Sequence, residues 1–345
     1  MKVGIIGCGA IARRGHLPAF KAIKNVEVSS VADMNKEVAL RVAKEFKIPK
    51  YYENYKEILE DPSIDLVSIC TPTPTHYQLI LEAAQKGKHI LVEKPLCLTI
   101  NEAKKILQVV RKNDVKLCVV KNFRYFPEVR KALKRARTGY LGRIVSIQAS
   151  ALTPFPVVWT RSTWLYHKFG VLTDFAPHLV DLILLFVNSE VTRVNAFGGD
   201  FLHTSGFINY AQIQMEFEND AIATIDLSWL TGTSISCINI HGTGGHIFLD
   251  VRNNYFYELH GIPTPIDDFK NFTRKFFKTV RGILRKELLI GQLGSYFPLI
   301  KDFIKSIQEN RKPPIAPEEA FRVVQVLDAA RLSLEKKSVI NVSEI

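Results

Sequence analysis

An apolar run, Val3-Gly4-Ile5-Ile6, leads without a break into Gly7-Cys8-Gly9-Ala10-Ile11-Ala12, and a helical pattern follows. A strand, a glycine-rich turn and a helix start in that order leave unpaired backbone N–H groups at the mouth of the turn, a natural seat for phosphate. Gly7 permits the tight turn. Gly9 lets a pyrophosphate approach the main chain, and the small Ala12 lets the helix pack closely on the strand. Ala10 and Ile11 complete the turn. Asp33 stands 21 residues beyond Ala12, at the end of the second apolar run. A carboxylate there accepts hydrogen bonds from the ribose hydroxyls of an adenosine, which favours NAD over NADP. Lys36 could serve a 2′-phosphate, but one lysine more often belongs to a solvated helix face. A tight turn in some other α/β fold is the competing reading.

The rest of the first 120 residues continues that rhythm. Val26 to Ala32, Leu66 to Cys70, His89 to Glu93 and Lys116 to Val120 read as strands, and helical patterns such as Lys36 to Phe46, Tyr77 to Lys86 and Asn101 to Asn113 lie between them. Unbroken apolar strands alternating with helices imply a parallel sheet covered on both faces, a Rossmann-type α/β domain. After about residue 125 the period shortens to two, in Ile144 to Leu152, Val191 to Phe197, Tyr210 to Phe217, Ala221 to Ser228, Ser234 to His241 and Gly245 to Val251. Short turns such as Glu218-Asn219-Asp220 join some of these runs, which predicts a largely antiparallel sheet. The division expected is 1–123 for the dinucleotide-binding domain and 124–345 for a second, α+β domain. Helical patterns at Glu128 to Thr138, Ala176 to Val187, Ser295 to Glu309 and Pro317 to Lys336 fall in the second.

A chain of 345 residues, 47% hydrophobic and 23% charged, has ample material for two cores and excludes disorder as the main state. The five cysteines, at 8, 70, 97, 118 and 237, are odd in number and form no CxxC. They suggest neither a disulfide framework nor a zinc ribbon, no metal site is expected, and a reduced cytoplasmic setting fits best. The first apolar run is broken by glycines, unlike a signal peptide, and no apolar run reaches the length of a membrane span.

Two further loops leave strand carboxyl ends, where open α/β sheets bind ligands. Thr71-Pro72-Thr73-Pro74-Thr75-His76 follows the third long strand and Glu93-Lys94-Pro95 the fourth. Taken singly, His76 is a polar residue in the first turn of a helix and Lys94 a surface lysine. Together with Gly7-x-Gly9-x-x-Ala12, Asp33, Asn122-x-Arg124-Tyr125-x-Pro127 and Asp174-x-x-x-His178-x-x-Asp181, they resemble the Gfo/Idh/MocA family of NAD(P)-dependent oxidoreductases. The resemblance spans residues 1 to about 255. It implies that Gly7, Gly9, Ala10, Ile11, Ala12, Asp33, Thr71, Pro72, Thr73, His76, Glu93, Lys94 and Asn122 bind the cofactor. The same resemblance implies that the α+β domain 124–345 binds substrate, holds a large, open, mainly antiparallel sheet, and serves homo-oligomerisation, as a dimer or tetramer.

The chemistry implied is hydride transfer between nicotinamide and a secondary alcohol or ketone of a sugar, polyol or nucleotide-sugar. Asp174 and His178, four residues apart, are expected on one face of a helix's N-terminal turn. Imidazole suits removal of the hydroxyl proton near neutral pH, and the Lys94 ammonium suits stabilisation of developing alkoxide. By resemblance Lys94 and His178 are the acid–base pair, with Asp174 orienting the hydroxyl or tuning its neighbours. The substrate set is Lys94, Arg124, Arg161, Trp164, Asp174 and His178, with Trp159 and Tyr166 as further pocket candidates. Asn122 and Arg124 have a competing reading as a hydrogen-bonded hinge between domains, and Trp159, Arg161, Trp164 and Tyr166 one as loop packing. One departure stands out: Lys168-Phe169-Gly170-Val171 holds a single glycine where family members often carry two or three, so the pocket is expected to differ. Two other functions compete, an NAD-dependent glycosidase working through transient oxidation and a non-catalytic dinucleotide-sensing regulator. Tightly held cofactor without net NADH formation would mark the first, and the Lys-His pair argues against the second.

Lysine and arginine exceed aspartate and glutamate by 12. Seven of those positive charges, Lys270, Arg274, Lys275, Lys278, Arg281, Arg285 and Lys286, fall in Phe269 to Lys286, which contains no acid. Phe269, Phe272, Phe276, Val280, Ile283 and Leu284 are spaced at three and four, so the segment reads as a basic amphipathic helix. The plainer reading packs its phenylalanines on the domain or a sister subunit. The sharper one is a peripheral contact with anionic membrane or a phosphate-bearing substrate. No recognised nucleic-acid module supports a nucleic-acid partner.

Overall fold

The computed structural model describes residues 1–155, 169–203, 206–251, 253, 255–261, 264–284 and 294–345. The chain divides into two compact units, Met1–Asn122 with Gln292–Val324, and Phe123–Gly291 with Gln325–Ile345.

The first unit is built on a six-stranded sheet. Its strands are β1 (Lys2–Ile6), β2 (Glu27–Ala32), β3 (Lys50–Tyr52), β4 (Leu66–Ile69), β5 (His89–Val92) and β6 (Leu117–Val119). They lie in the order β3-β2-β1-β4-β5-β6, all parallel. The order reverses direction between β1 and β4, where the loops after neighbouring strands diverge and leave a crevice. Beyond their first residues the central strands are buried throughout, Ile5, Leu66, Ile69, Ile90 and Leu91 being fully enclosed, as a sheet covered on both faces requires. The helices start on explicit signals. Asn35 caps α2 (Lys36–Phe46) by accepting from the amides of Glu37 and Val38. Thr99 and Glu102 form a reciprocal capping box at the start of α5 (Ile100–Lys112). Between them run α3 (Lys56–Glu60) and α4 (His76–Gln85). Before α2, a π-helical turn, Ala12–His16, runs on into α1 (Leu17–Lys21).

The second unit opens with α6 (Pro127–Arg137) and holds an eight-stranded sheet. Its strands are β7 (Ile144–Pro154), β8 (Val191–Gly199), β9 (Tyr210–Phe217), β10 (Ile222–Ser228), β11 (Leu230–Gly242), β12 (His246–Asp250), β13 (Tyr255–Leu259) and β14 (Ile340–Asn341), in the order β13-β12-β11-β7-β10-β9-β8-β14. Every pair is antiparallel except β7 with β10, so the sheet is mixed but mainly antiparallel, as the period-two runs predict. Two short helices, α7 (Gly170–Asp174) and α8 (Ala176–Val187), precede β8, and α8 packs on β7 and β10. Ile147, Ala149, Ile213, Ile225 and Ile238 point into the buried side of this sheet.

The tail departs from the sequence division, which kept all of 124–345 together. After α9 (Pro265–Leu284), the helix α10 (Tyr296–Gln308) belongs to the first unit. There it lies against α1 and encloses Leu299, Ile300 and Phe303 completely. The spacing of those residues announces an apolar face but not the surface that covers it. The last helix, α11 (Pro317–Lys336), begins in the first unit and ends in the second. If α10 is part of the dinucleotide-binding unit, Phe303→Ala removes about 3–5 kcal/mol of stability, the range for emptying a buried phenylalanine site. Chemical denaturation followed by NADH binding reads this: both signals are expected to move to lower denaturant together.

Candidate active site

The crevice of the first unit is assembled from three loops. In the first, Gly7 has φ of +92° and a Cβ on it would stand 2.7 Å from the Cys70 carbonyl oxygen, so only glycine fits. A Cβ on Gly9, in contrast, would meet nothing within 4 Å. The main chain at Gly9 is therefore open to an approaching group, at the start of a helix whose first amides lack intrahelical partners. Ala10 is exposed beside it, Ile11 is half-buried and Ala12 is fully enclosed against the sheet. Asp33, just beyond β2, accepts from the Cys8 amide at 2.9 Å and from the Asn35 amide at 3.0 Å. These two bonds fix the carboxylate against the glycine turn. Burial and the neighbouring Asp33 push the Cys8 thiol up to about 12, so the cysteine in the turn is not a nucleophile.

The second loop, Thr71 to Thr75, is tied by its own residues. The Thr75 hydroxyl bonds Thr71 Oγ1 at 2.7 Å and the Pro72 carbonyl at 2.8 Å, and Thr73 is buried. His76 is fully enclosed. Its Nδ1 lies 2.9 Å from the Pro95 carbonyl and its Nε2 2.9 Å from the Thr71 carbonyl. Both ring nitrogens face carbonyls of the chain and the one that carries the hydrogen donates, so His76 lies between the second loop and the third rather than offering its ring outward. Burial lowers its pKa.

The third loop, Glu93-Lys94-Pro95, leaves β5 with a cis peptide bond before Pro95. Lys94 is half-buried and Glu93 is buried beneath it. Glu93 Oε1 meets His16 Nε2 at 2.8 Å and accepts from the Tyr296 hydroxyl at 3.1 Å, while Oε2 accepts the Lys94 amide at 3.2 Å. His16 Nδ1 lies 2.8 Å from Ser68 Oγ on β4. The histidine comes from the π-helical turn, the place where a locally widened helix re-aims a side chain. Burial opposes charge on His16, but Cys70 and Glu93 outweigh it and push its pKa up to about 10. Glu93 feels the same contest: burial raises its pKa, and His16 and Lys94 bring it below the ordinary value. The opposed shifts and the 2.8 Å contact favour a buried pair of charged His16 and Glu93. Asn122, also buried, donates to Ser295 Oγ at 3.0 Å and so pins the end of this unit to the start of α10.

In the second unit, Asp174 is the last residue of α7 and His178 lies in the first turn of α8, with Phe175 between the helices. The two thus stand in separate short helices rather than in one N-terminal turn, although Phe175 between them keeps helical backbone angles. Pro177 has no amide hydrogen and its ring excludes the carbonyl four residues back, so α8 can start near Pro177 but not pass through it. The ring of His178 stacks on Phe123, centroids 4.0 Å apart and planes 6° from parallel. One residue on, Arg124 grips Asp181 of α8 through two bonds of 2.7 Å, with both side chains nearly buried. Arg124 was expected in the substrate set; its guanidinium is paired with Asp181 within the second unit. Phe123 and Arg124 thus bracket α8 one turn apart and set the orientation of His178. The role of Asp181 lay in the sequence as the last residue of the D-x-x-x-H-x-x-D run, but its partner did not. Trp159, Arg161, Trp164 and Tyr166 lie outside the described residues. Phe169 lies under the Arg331 guanidinium, 5.7 Å from its ring centroid, and a Cβ on Gly170 would meet the Ile208 carbonyl.

Comparison with known proteins agrees with this construction. Residues 1–121 match the model of the oxidoreductase family with an NAD-binding Rossmann fold, and residues 129–248 match the GFO/IDH/MocA C-terminal domain. An uncharacterized oxidoreductase, YrbE, of Bacillus subtilis (strain 168) is 32% identical over 96% of this chain and 93% of its own length. Myo-inositol 2-dehydrogenase of Thermotoga maritima is 25% identical over 100% of this chain and 99% of its own. A solved levoglucosan dehydrogenase in complex with NADH has the same fold, with a TM-score of 0.82 at 23% identity over 99% of each chain. The chain is an NAD(P)-dependent oxidoreductase acting on CH–OH groups, with its dinucleotide site in the first unit. It belongs to the Gfo/Idh/MocA family.

A histidine held charged above its ordinary pKa of 6.5 contributes stability that is complete below that value and fades as pH rises through its folded pKa. Wild-type protein is therefore expected to lose melting temperature progressively from neutral pH toward about 10. His16→Gln should start lower and show a flatter profile over that window. Thermal melts across pH check this, and parallel profiles would contradict a charged His16.

Proposed function

We propose that the enzyme transfers hydride between NAD and a secondary alcohol or ketone of a sugar, polyol or nucleotide-sugar, with NADP the less favoured cofactor. The observation that carries this reading is the Glu93-Lys94-Pro95 loop: a half-buried lysine at the carboxyl end of β5, its amide fixed by a carboxylate in a buried ion pair. The substrate class is supported by relatives named myo-inositol 2-dehydrogenase and levoglucosan dehydrogenase. NAD is favoured by the carboxylate of Asp33, which suits a ribose diol and repels a 2′-phosphate.

The residues present fit the cofactor. Gly9 offers open backbone for a pyrophosphate, with Ala10, Ile11 and the helix start behind it, and Thr71, Pro72 and Thr73 form the neighbouring wall. When bound, the nicotinamide supplies the hydride acceptor. Lys94 donates a hydrogen bond to the substrate oxygen and stabilises negative charge developing there. His178, its ring held by Phe123, exchanges the hydroxyl proton. Asp174 orients the reacting hydroxyl or tunes these neighbours. Glu93, His76 and Asn122 act from beneath by fixing the loops. Assembly as a homo-oligomer and a cytoplasmic setting belong to the same reading. The exposed Val145, Ile222 and Ile235 of the eight-stranded sheet favour assembly through that sheet.

Screening NADH formation over inositols, sugars and nucleotide-sugars tests the proposal, and absence of turnover on all three classes with either dinucleotide would overturn it. On the substrate so found, Lys94→Ala and His178→Ala are each expected to lower kcat by roughly 10²–10⁴-fold, the scale of acid–base groups, while NADH binding persists. Near-native turnover in both variants would remove them from the mechanism.

A further inference from the structure

The basic segment carries an inference independent of the oxidoreductase site. The helix α9 is attached to the second unit by its polar side. Tyr255 of β13 donates its hydroxyl hydrogen to the Asn271 carbonyl at 2.8 Å, and Lys275 Nζ lies 5.7 Å from the Tyr255 ring centroid. The apolar side is turned to solvent: Phe269 and Phe272 are each 67% exposed, Phe276 54% and Phe277 69%. Ile266 and Val280 join the same exposed stripe. At roughly 100° per residue these six positions share an arc of roughly 140°. Lys270, Arg274 and Lys275, all exposed, fall outside that arc and flank both of its edges. This inverts the ordinary surface helix, whose apolar stripe faces the core.

A face of this kind needs a cover, and its charge decides which. The helix has its two acids, Asp267 and Asp268, in its first turn, and from Phe269 to Lys286 there is none. A second copy docked isologously would set one cationic flank against another at the rim of the contact. Protein interfaces also deplete lysine around their apolar centres. An anionic lipid surface offers what the helix lacks: negative headgroups for the flanks and an acyl boundary for the rings. No helix among the described residues is long and apolar enough to cross a membrane, so contact is parallel to the surface. We propose that α9 is a membrane-contact element. It lays Phe269, Phe272, Phe276 and Phe277 into the headgroup–acyl boundary of an anionic bilayer, with Lys270, Arg274 and Lys275 against the lipid phosphates.

The test is co-sedimentation of the full-length protein with vesicles of phosphatidylcholine alone or of phosphatidylcholine with phosphatidylglycerol, at low and high salt. The wild type should sediment with the anionic vesicles, weaken as salt rises, and stay free of the neutral ones. Lys270→Gln with Arg274→Gln should lower the partition coefficient by about fivefold per charge removed. Phe272→Ser with Phe276→Ser should lower it by roughly tenfold or more, because each ring contributes its own burial. All four side chains are exposed, so melting temperature should not move in either variant. Failure of the wild type to bind anionic vesicles at low salt would overturn the proposal. So would binding that neither pair of substitutions weakens. Light scattering supplies the remaining arm: if the phenylalanine pair converts a larger species into a smaller one while lipid binding is absent, the cover is a second copy and the proposal fails.

Discussion

The first unit depends on one buried contact, the pairing of His16 with Glu93. Its members and neighbours come from four elements: the helix that follows the glycine turn, β4 through Ser68, the loop after β5 through Glu93, and α10 through Tyr296. Taking two charges out of water costs several kcal/mol each, and only close geometry with every remaining polar atom satisfied offsets that cost. Here Glu93 meets His16, Tyr296 and the Lys94 amide, and His16 meets Ser68 on its other nitrogen. The pair is demanding in position, and that demand is transmitted to the loops above it. Glycine turn and lysine loop take their places together or not at all.

The second unit solves a similar problem with a similar device. Arg124 and Asp181 form a nearly buried, two-pronged pair that fastens the residues after the first unit's last strand to α8. The Phe123 ring beside it lies flat on His178. A histidine meant to exchange a proton must be held in one rotamer, and stacking on Phe123 helps to hold it. In each unit the group that does chemistry in the proposed reading, Lys94 or His178, stands close in sequence to a member of such a charged pair.

Much of this was legible in the sequence because the signals are local. The glycine turn, the acid at Asp33 and the unbroken apolar strands specify a parallel sheet with a dinucleotide crevice, since few other folds require them at those spacings. Pro177 likewise carried the break between Asp174 and His178, a signal outweighed by the four-residue spacing. What was not legible depends on partners far along the chain. An arginine at 124 suits substrate as well as it suits Asp181, and no pattern names the partner. Tyr296 and Phe303 show an apolar face without naming α1 and Glu93 as what they meet. His76 reads as a polar residue at a ligand loop until its two nitrogens are found on carbonyls of the chain. The basic helix was read correctly as amphipathic, but which side faces the protein follows only from Tyr255 and Asn271.

The account rests on the buried pair setting the geometry of the dinucleotide crevice. NADH affinity of Glu93→Ala, measured by calorimetry well below its melting temperature with near-UV circular dichroism confirming a folded state, tests that claim directly. Loss of the carboxylate should weaken NADH by roughly tenfold or more, because small misplacements of positioning groups carry costs of that order. A folded Glu93→Ala that binds NADH as tightly as the wild type would contradict it.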